Sequence, residues 1–243
     1  MGTNAHEDAA AYGDTIADIY DERAPAATAA EIEFLAALAD GGRVLELGIG
    51  TGRVAVPLAA RGLEVHGIEA SERLVARLRA KPEATKITVT IGDIRAVEPD
   101  GEFALIYAIY DTFSMLPSQQ DQLSCFRMVS AHLRRGGFFV IEQKNPVRLF
   151  DVPPVQMLAS EGDAVWLAAT RHDPVAQSFE QAQVQIGRNE TRVYPVRGRY
   201  TWPSELDLMA GTTGLLLRER YGDWERQAFA ASSQRFVSVY GAS

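Results

Sequence analysis

From Arg43 onward the chain alternates between short apolar runs and stretches with helical spacing. Val44–Leu47, Glu64–Ile68, Ile87–Ile91, Phe103–Ile109 and Phe138–Glu142 read as strands. Between them, Val54–Ala60, Glu72–Ala80 and Gln119–Leu133 repeat their apolar residues every three or four positions, the last after a Pro117-Ser118 start signal. No clear helix joins the third strand to the fourth. Such alternation predicts right-handed crossovers and a mostly parallel sheet with helices on both faces.

The flanks read differently. Tyr12, Ile16, Ile19 and Tyr20 recur at helical spacing, so AYGDTIADIYDE predicts one short amphipathic helix. A second passes through Ile32, Leu35 and Leu38 and stops at Gly41-Gly42. Beyond Asn145-Pro146 the pattern predicts strands at Val165–Thr170, Ala182–Ile186 and Thr191–Thr201, with a turn at Gly187-Arg188-Asn189. Pro203–Ala210 reads as a helix ended by Gly214, and Leu215–Tyr221 and Phe236–Tyr240 read as two last strands. Residues 151–200 are expected to be a strand-rich insertion lying over the sheet formed by residues 1–150 and 201–243.

Composition narrows the function classes. The 243 residues carry a net charge of −8 and show no Lys/Arg run, which argues against nucleic acid and anionic membrane as partners. The single cysteine, Cys125, rules out an internal disulfide and reads as a buried, inert thiol in a helix beside Phe126 and Val129. With no signal segment and no apolar run long enough for a bilayer, a cytoplasmic protein is expected.

The first strand feeds directly into LELGIGTG, which places Gly48, Gly50 and Gly52 between a strand and a helix. Glycine there permits positive φ and close approach of a ligand to the backbone, at the strand ends where open α/β sheets bind ligands. A dinucleotide fingerprint would need a small residue at position 53, where Arg53 stands, and no Gly-Lys-Ser/Thr follows for a phosphate loop. A tight structural turn is the plain alternative. Two carboxylates weaken it. Glu69 ends the second strand, where an acid can accept both hydrogen bonds of a ribose diol, and Asp93 ends the third. There Asp93 can accept from an exocyclic amine while Ile94 packs on the ring. Their coincidence points to an adenosine-shaped ligand.

The ordered set VLELGIGTGRVAVPLAARGLEVHGIEAS, LVARLRA, IGDI, FALIYAIYDTF and HLRRGGFFVIE, spanning Arg43 to Glu142, resembles class I S-adenosylmethionine-dependent methyltransferases. The resemblance implies a Rossmann-like seven-stranded, mostly parallel sheet with a terminal antiparallel strand, plus a lid. It implies S-adenosyl-L-methionine as cofactor and S-adenosyl-L-homocysteine as product. On this chain Glu46, Gly48, Gly50 and Gly52 match the loop that meets the methionine part of the cofactor. Glu69 with Ala70 matches the ribose acid, Asp93 with Ile94 the adenine contacts, and Ala108 opens the segment that holds methionine and faces the substrate. YGDTIADIYDE is similar to the family's cofactor-covering helix, making Tyr12 and Tyr20 candidates, against the plainer reading of helix packing.

The acceptor side rests on position alone. Tyr110 and Asp111 follow the fourth strand, and Asp111 is the leading candidate, as a base or as the holder of a substrate ammonium. His172, in a TRHDP turn, reads as a solvated loop residue, and His132, at a helix end, as structural. Trp166, Tyr194, Tyr200 and Trp202 suit a pocket for a small organic acceptor or simply a core between lid and sheet. The expected activity is methyl transfer to an amine or hydroxyl of a small molecule, with no metal. A non-methylating binder of the same cofactor (a cyclase or a regulator) and an NAD-type oxidoreductase are the rivals. Exposed edge strands of the lid offer a homodimer contact.

Overall fold

The computed structural model describes residues 5–242. Strands β1 (Val44–Leu47), β2 (Val65–Glu69), β3 (Thr88–Ile91), β4 (Phe103–Ala108) and β5 (Leu133–Lys144) pair in parallel, in the order β5-β4-β1-β2-β3. The chain's last strand, β11 (Arg235–Ala242), joins the β5 edge antiparallel and is flanked by β10 (Leu215–Tyr221), completing a seven-stranded sheet. Strands β1 and β4 are buried along their whole length, as expected for central strands covered on both faces.

Helices α3 (Ala29–Ala39) and α4 (Ala55–Ala60) help to cover one apolar cluster, through Leu35 and Leu58 on Val44, Tyr107 and Val140. Helices α6 (Gln119–His132) and α8 (Pro203–Thr212) cover the other, where Phe126 touches Phe113, Phe139 and Tyr240 edge to face. Cys125 is fully buried there, and burial pushes its thiol up to about 12, so it is inert at neutral pH. No helix among the described residues is long and apolar enough to cross a membrane.

The amino-terminal segment departs from the single helix expected. It forms α1 (Ala5–Ile16) and a short α2 (Tyr20–Arg23), separated by a turn. Carbonyls freed at that break are taken by guanidinium groups of α5 (Glu72–Arg79): Arg73 donates to the Asp14 carbonyl at 2.5 Å and Arg77 to that of Asp18 at 2.9 Å. The acidic side chains complete the attachment. Asp14 accepts from Ser71 at 2.6 Å, Asp18 pairs with both arginines, and Asp21 accepts from Thr51 and Lys81.

A second, antiparallel sheet is built from β6 (Val155–Glu161), β7 (Ala164–Asp173), β8 (Ser178–Ile186) and β9 (Thr191–Arg199), after a four-residue α7 (Pro146–Leu149). Strand β6 has no counterpart among the strands expected from the sequence. It is an edge strand, mostly exposed, so its residues lack the apolar alternation of a half-buried strand. The two faces of this sheet contrast. One buries Trp166, Ala168, Tyr194 and Gly198. The other carries Met157, Leu167, Val184 and Val193 in a single cross-strand row, with Met157 66% and Val193 53% exposed.

Candidate active site

The three glycines of the loop after β1 share positive φ, at +71° for Gly48, +54° for Gly50 and +80° for Gly52, but serve different ends. A Cβ on Gly48 would lie 2.6 Å from Thr112, and one on Gly52 2.4 Å from Leu78 of α5, so both positions are filled by the protein's own packing. At Gly50 a Cβ would meet only the Tyr20 ring, at 3.8 Å. Gly50 therefore keeps open space over the loop, bounded by an aromatic ring.

Glu69 stands at the end of β2, beneath that space. Its two oxygens each accept a backbone N–H at 2.9 Å, from Gly50 and from Ser71. Burial raises its pKa, while the N–H groups of Ser71, Gly50 and Ala70 oppose the shift. Each carboxylate oxygen retains acceptor capacity beyond these bonds, which is what two ribose hydroxyls would use. Asp93, buried at the end of β3, accepts from the Arg95 backbone and guanidinium at 2.9 and 2.7 Å, with Ile94 and Ala70 half-buried nearby in the chain. The open glycine, the adjacent carboxylates and the half-buried apolar residues fit an adenosine-bearing ligand. Ala108 is fully buried in the core beneath, with no surface open to the site.

Arg53, the misfit to the dinucleotide pattern, has a different occupation. It forms a two-pronged pair with Glu31 of α3 at 2.7 and 3.0 Å and lies over the Tyr110 ring, 5.2 Å from its centre. Glu46 is buried nearby and accepts from the Tyr107 hydroxyl at 3.0 Å. Burial pushes Glu46 up to about 8; the Tyr107 hydrogen bond and the charge of Arg53 only partly offset it. Tyr12 and Tyr20 are half-buried against this group. Burial raises both phenols, Tyr12 to about 12 with Tyr110 and Asp111 adding to it.

Tyr110 and Asp111 form the turn beyond β4, and both adopt left-handed backbone, φ +55° and +66°. Two successive non-glycine residues in that region are strained, and such strain persists only where neighbours over-determine it. Here Glu142 accepts from the Tyr110 N–H at 2.7 Å, and Asp111 accepts from the Lys144 N–H at 2.8 Å and from Arg235 at 2.9 Å. The Tyr110 ring contacts two guanidinium groups, those of Arg53 and Arg235. Both oxygens of Asp111 are thus engaged by the protein. Glu142, Lys144, Arg235 and Glu31 were absent from the sequence-level candidates; their pairing depends on which strand ends and helices the fold makes neighbours.

The histidines divide. His132 bonds the Gly101 carbonyl and Glu98, both at 2.9 Å; burial lowers its pKa, but these partners outweigh that and hold it above the ordinary value. His172 is not in a solvated turn. It lies on β7, half-buried among Phe150, Phe179 and Tyr200, and burial lowers its pKa.

Comparison with known proteins agrees with this geometry. The model of a methyltransferase-domain family matches residues 44–137. The chain is similar to the CcbJ methyltransferase from Streptomyces caelestis, with 38% identity, a TM-score of 0.90, and coverage of 96% of this chain and 98% of that one. It is 25% identical to the cypemycin N-terminal methyltransferase of a Streptomyces species, over 82% of this chain and 83% of the relative. The fold also matches CalS10, an amino pentose methyltransferase from Micromonospora echinaspora solved with its S-adenosylmethionine, at 20% identity and a TM-score of 0.63, covering 94% and 91% of the two chains.

Glu46 generates a prediction. Between the ordinary carboxyl value of 4.5 and about 8, the folded ligand-free protein keeps a proton on Glu46 that the unfolded chain has released. Its contribution to stability is therefore full at low pH and is lost as pH rises through that window. Relative to Glu46→Gln, the wild-type melting temperature should fall by several degrees between pH 5 and pH 8. Parallel curves in thermal melts of the two proteins would assign an ionised Glu46 paired with Arg53.

Proposed function

Because the chain belongs to the class I S-adenosylmethionine-dependent methyltransferases, we propose that it methylates an amine of a small organic acceptor. When bound, the cofactor supplies an electrophilic methyl group on a sulfonium; the protein must hold the acceptor in line and exclude water. The carrying observation is the state of Asp111. The acid of the turn beyond β4 already accepts from Arg235 and Lys144. A proton from a substrate hydroxyl would have to compete with a guanidinium for it. A neutral amine attacks through its own lone pair and needs no such acceptor. The relatives named for an N-terminal amine and an amino pentose support the same choice.

In this reading the Gly50 backbone meets the methionine part of the cofactor, Glu69 takes the ribose, and Asp93 with Ile94 takes the adenine. Tyr12, Tyr20 and Tyr110 close over the reacting end, and Asp111 positions Tyr110. The outer face of the second sheet, apolar and free of charge along the Met157–Val193 row, suits a second copy of the chain, since a two-fold contact requires a self-complementary patch.

Three outcomes are expected. Glu69→Gln should weaken S-adenosylhomocysteine binding by about 1–3 kcal/mol in calorimetry, with a much smaller loss for the 2′,3′-dideoxy analogue. An equal loss for both would place Glu69 in folding alone. Asp111→Asn should lower the melting temperature and cost less than about tenfold in kcat, while the wild-type rate rises with pH as the acceptor amine deprotonates; a loss of about 100-fold or more at unchanged melting temperature would restore Asp111 as a base. Light scattering should give a dimer that Met157→Glu with Val193→Glu converts to a folded monomer. A monomeric wild type would remove that contact.

A further inference from the structure

The face of the second sheet that looks toward the catalytic core is unusual in chemistry. Cross-strand register places Thr170, Gln181 and Val196 in one row and Ala168, Gln183 and Tyr194 in the next, with Gln156 opposite Ala168 on the edge strand. This is the face that buries Trp166, Ala168 and Tyr194, so Gln181 and Gln183 share the inward face with Val196, while Leu167, Val184 and Val193 lie on the outward one. That inverts the ordinary arrangement of a sheet with one covered face.

Both ends of this face are clamped onto the catalytic body. At one end Trp166 and Tyr194 stack and pack on Ile16, with Tyr12 and Tyr20 around them. At the other, Gly198 comes so close to the turn after Asp111 that a Cβ would lie 2.3 Å from the Ser114 carbonyl oxygen. The Gln183 row includes the anchor Tyr194 itself, and the Gln181 row lies between it and Gly198, both glutamines half-buried, on the span from the helix that carries Tyr12 to the segment that follows Asp111. Strand β9, which carries Tyr194 and Gly198, thus runs from the helix of Tyr12 to the segment that follows Asp111.

The hydrogen bonding along the face is deliberately incomplete. Gln183 donates to the Gln181 carbonyl oxygen at 3.1 Å, and Gln181 donates to the Thr170 hydroxyl at 2.9 Å. That relay leaves the Gln183 carbonyl oxygen, a second N–H on each amide and the Thr170 hydroxyl proton for another molecule. Gln122 shows the contrast: buried in the structural core, it has both ends committed, accepting from Arg199 and Thr201 and donating to the Arg199 carbonyl. These half-buried amides keep their spare capacity within reach of solvent, so a ligand that matched it would replace water there.

We propose that this relay is the specificity surface for the acceptor, and that the acceptor is a neutral polyhydroxylated ring, an amino sugar in chemical class. Amides and a threonine hydroxyl both donate and accept, as sugar hydroxyls do, and these rows carry no charged side chain to favour a carboxylate or phosphate. The inference rests on the amine reading above and adds the scaffold that bears the amine. Gln181 and Gln183 are substrate-positioning residues that touch neither cofactor nor methyl group.

The test titrates the S-adenosylhomocysteine complex with a set of methyl glycosides bearing one amine at each ring position and with the matching aminocyclohexanes, and follows methyl transfer to each. At least one amino sugar should bind ten-fold or more tightly than its deoxygenated partner. Gln181→Leu and Gln183→Leu should erase that preference and raise KM ten-fold or more, with kcat, S-adenosylhomocysteine affinity and melting temperature held. Equal binding of sugar and cyclohexane partners, no binding of any amino sugar, or a preference that survives both substitutions would overturn the proposal while leaving the amine reading intact. A glutamine-dependent sugar preference with the methyl group found on oxygen would uphold this surface and overturn the amine reading instead.

Discussion

One buried carboxylate, that of Glu69, ties the catalytic end of the molecule together. Its oxygens hold the N–H of Gly50 in the loop after β1 and the N–H of Ser71 at the start of α5. The Ser71 hydroxyl accepts from Leu74 to cap that helix and donates to Asp14 of α1. A loop, a strand end and two helices therefore converge on a single side chain. Taking a carboxylate out of water is expensive unless charge-assisted hydrogen bonds replace the lost hydration, and these N–H groups offset part of that cost. The bonds also fix where the acid can point. A group held this way is preorganised for a ligand that offers two further hydroxyl donors.

The second shared device is a layer of ionisable groups around the turn beyond β4. Glu31 neutralises Arg53, Arg53 faces both Glu46 and the Tyr110 ring, and Arg235 also lies against that ring while pairing with Asp111 and Glu142. Tyr110 and its strained backbone depend on this set, because neither left-handed residue is a glycine. Strain of this kind, on the order of 1–3 kcal/mol per residue, must be offset by surrounding bonds. The bonds to Glu142, Lys144 and Arg235 supply them, and all three partners come from β5 and β11, across the sheet from the loop of glycines. The antiparallel last strand is thus part of the site's construction as well as of the sheet.

How much of this was legible follows from burial. The central strands β1, β2 and β4 and the apolar part of β5 were readable because strands covered on both faces appear as continuous apolar runs; the edge strand β3 alternates instead, and β5 starts five residues earlier than its apolar run. Glu69 and Asp93 were readable because they fall at strand ends in a fixed order. Strand β6 was not, since an exposed edge strand carries no apolar alternation. The break between α1 and α2 depends on Arg73 and Arg77, more than fifty residues away, so no local pattern could announce it. The position of Tyr110 and Asp111 beyond the fourth strand was readable, yet the occupation of Asp111 by Arg235 involves partners 124 positions apart.

The alternating QAQVQ of β8 is the most instructive case, because its period was plain and its polarity misleading. Alternation alone says that one face is apolar and one polar, and the usual assignment buries the apolar face. Here the burial of Trp166 and Tyr194 decides the matter the other way, turning Gln181 and Gln183 inward and Val184 outward. A sheet with half-buried amides on its covered face and an exposed Met157 and Val193 on the other is a poor arrangement for apolar burial on its own. It becomes favourable when each face meets a matching surface, the amides a polar ligand and the valines another apolar layer. The apolar anchoring of this sheet is therefore concentrated in Trp166 and Tyr194, which fix its covered face on Ile16, while the amide rows contribute hydrogen bonds and not apolar burial.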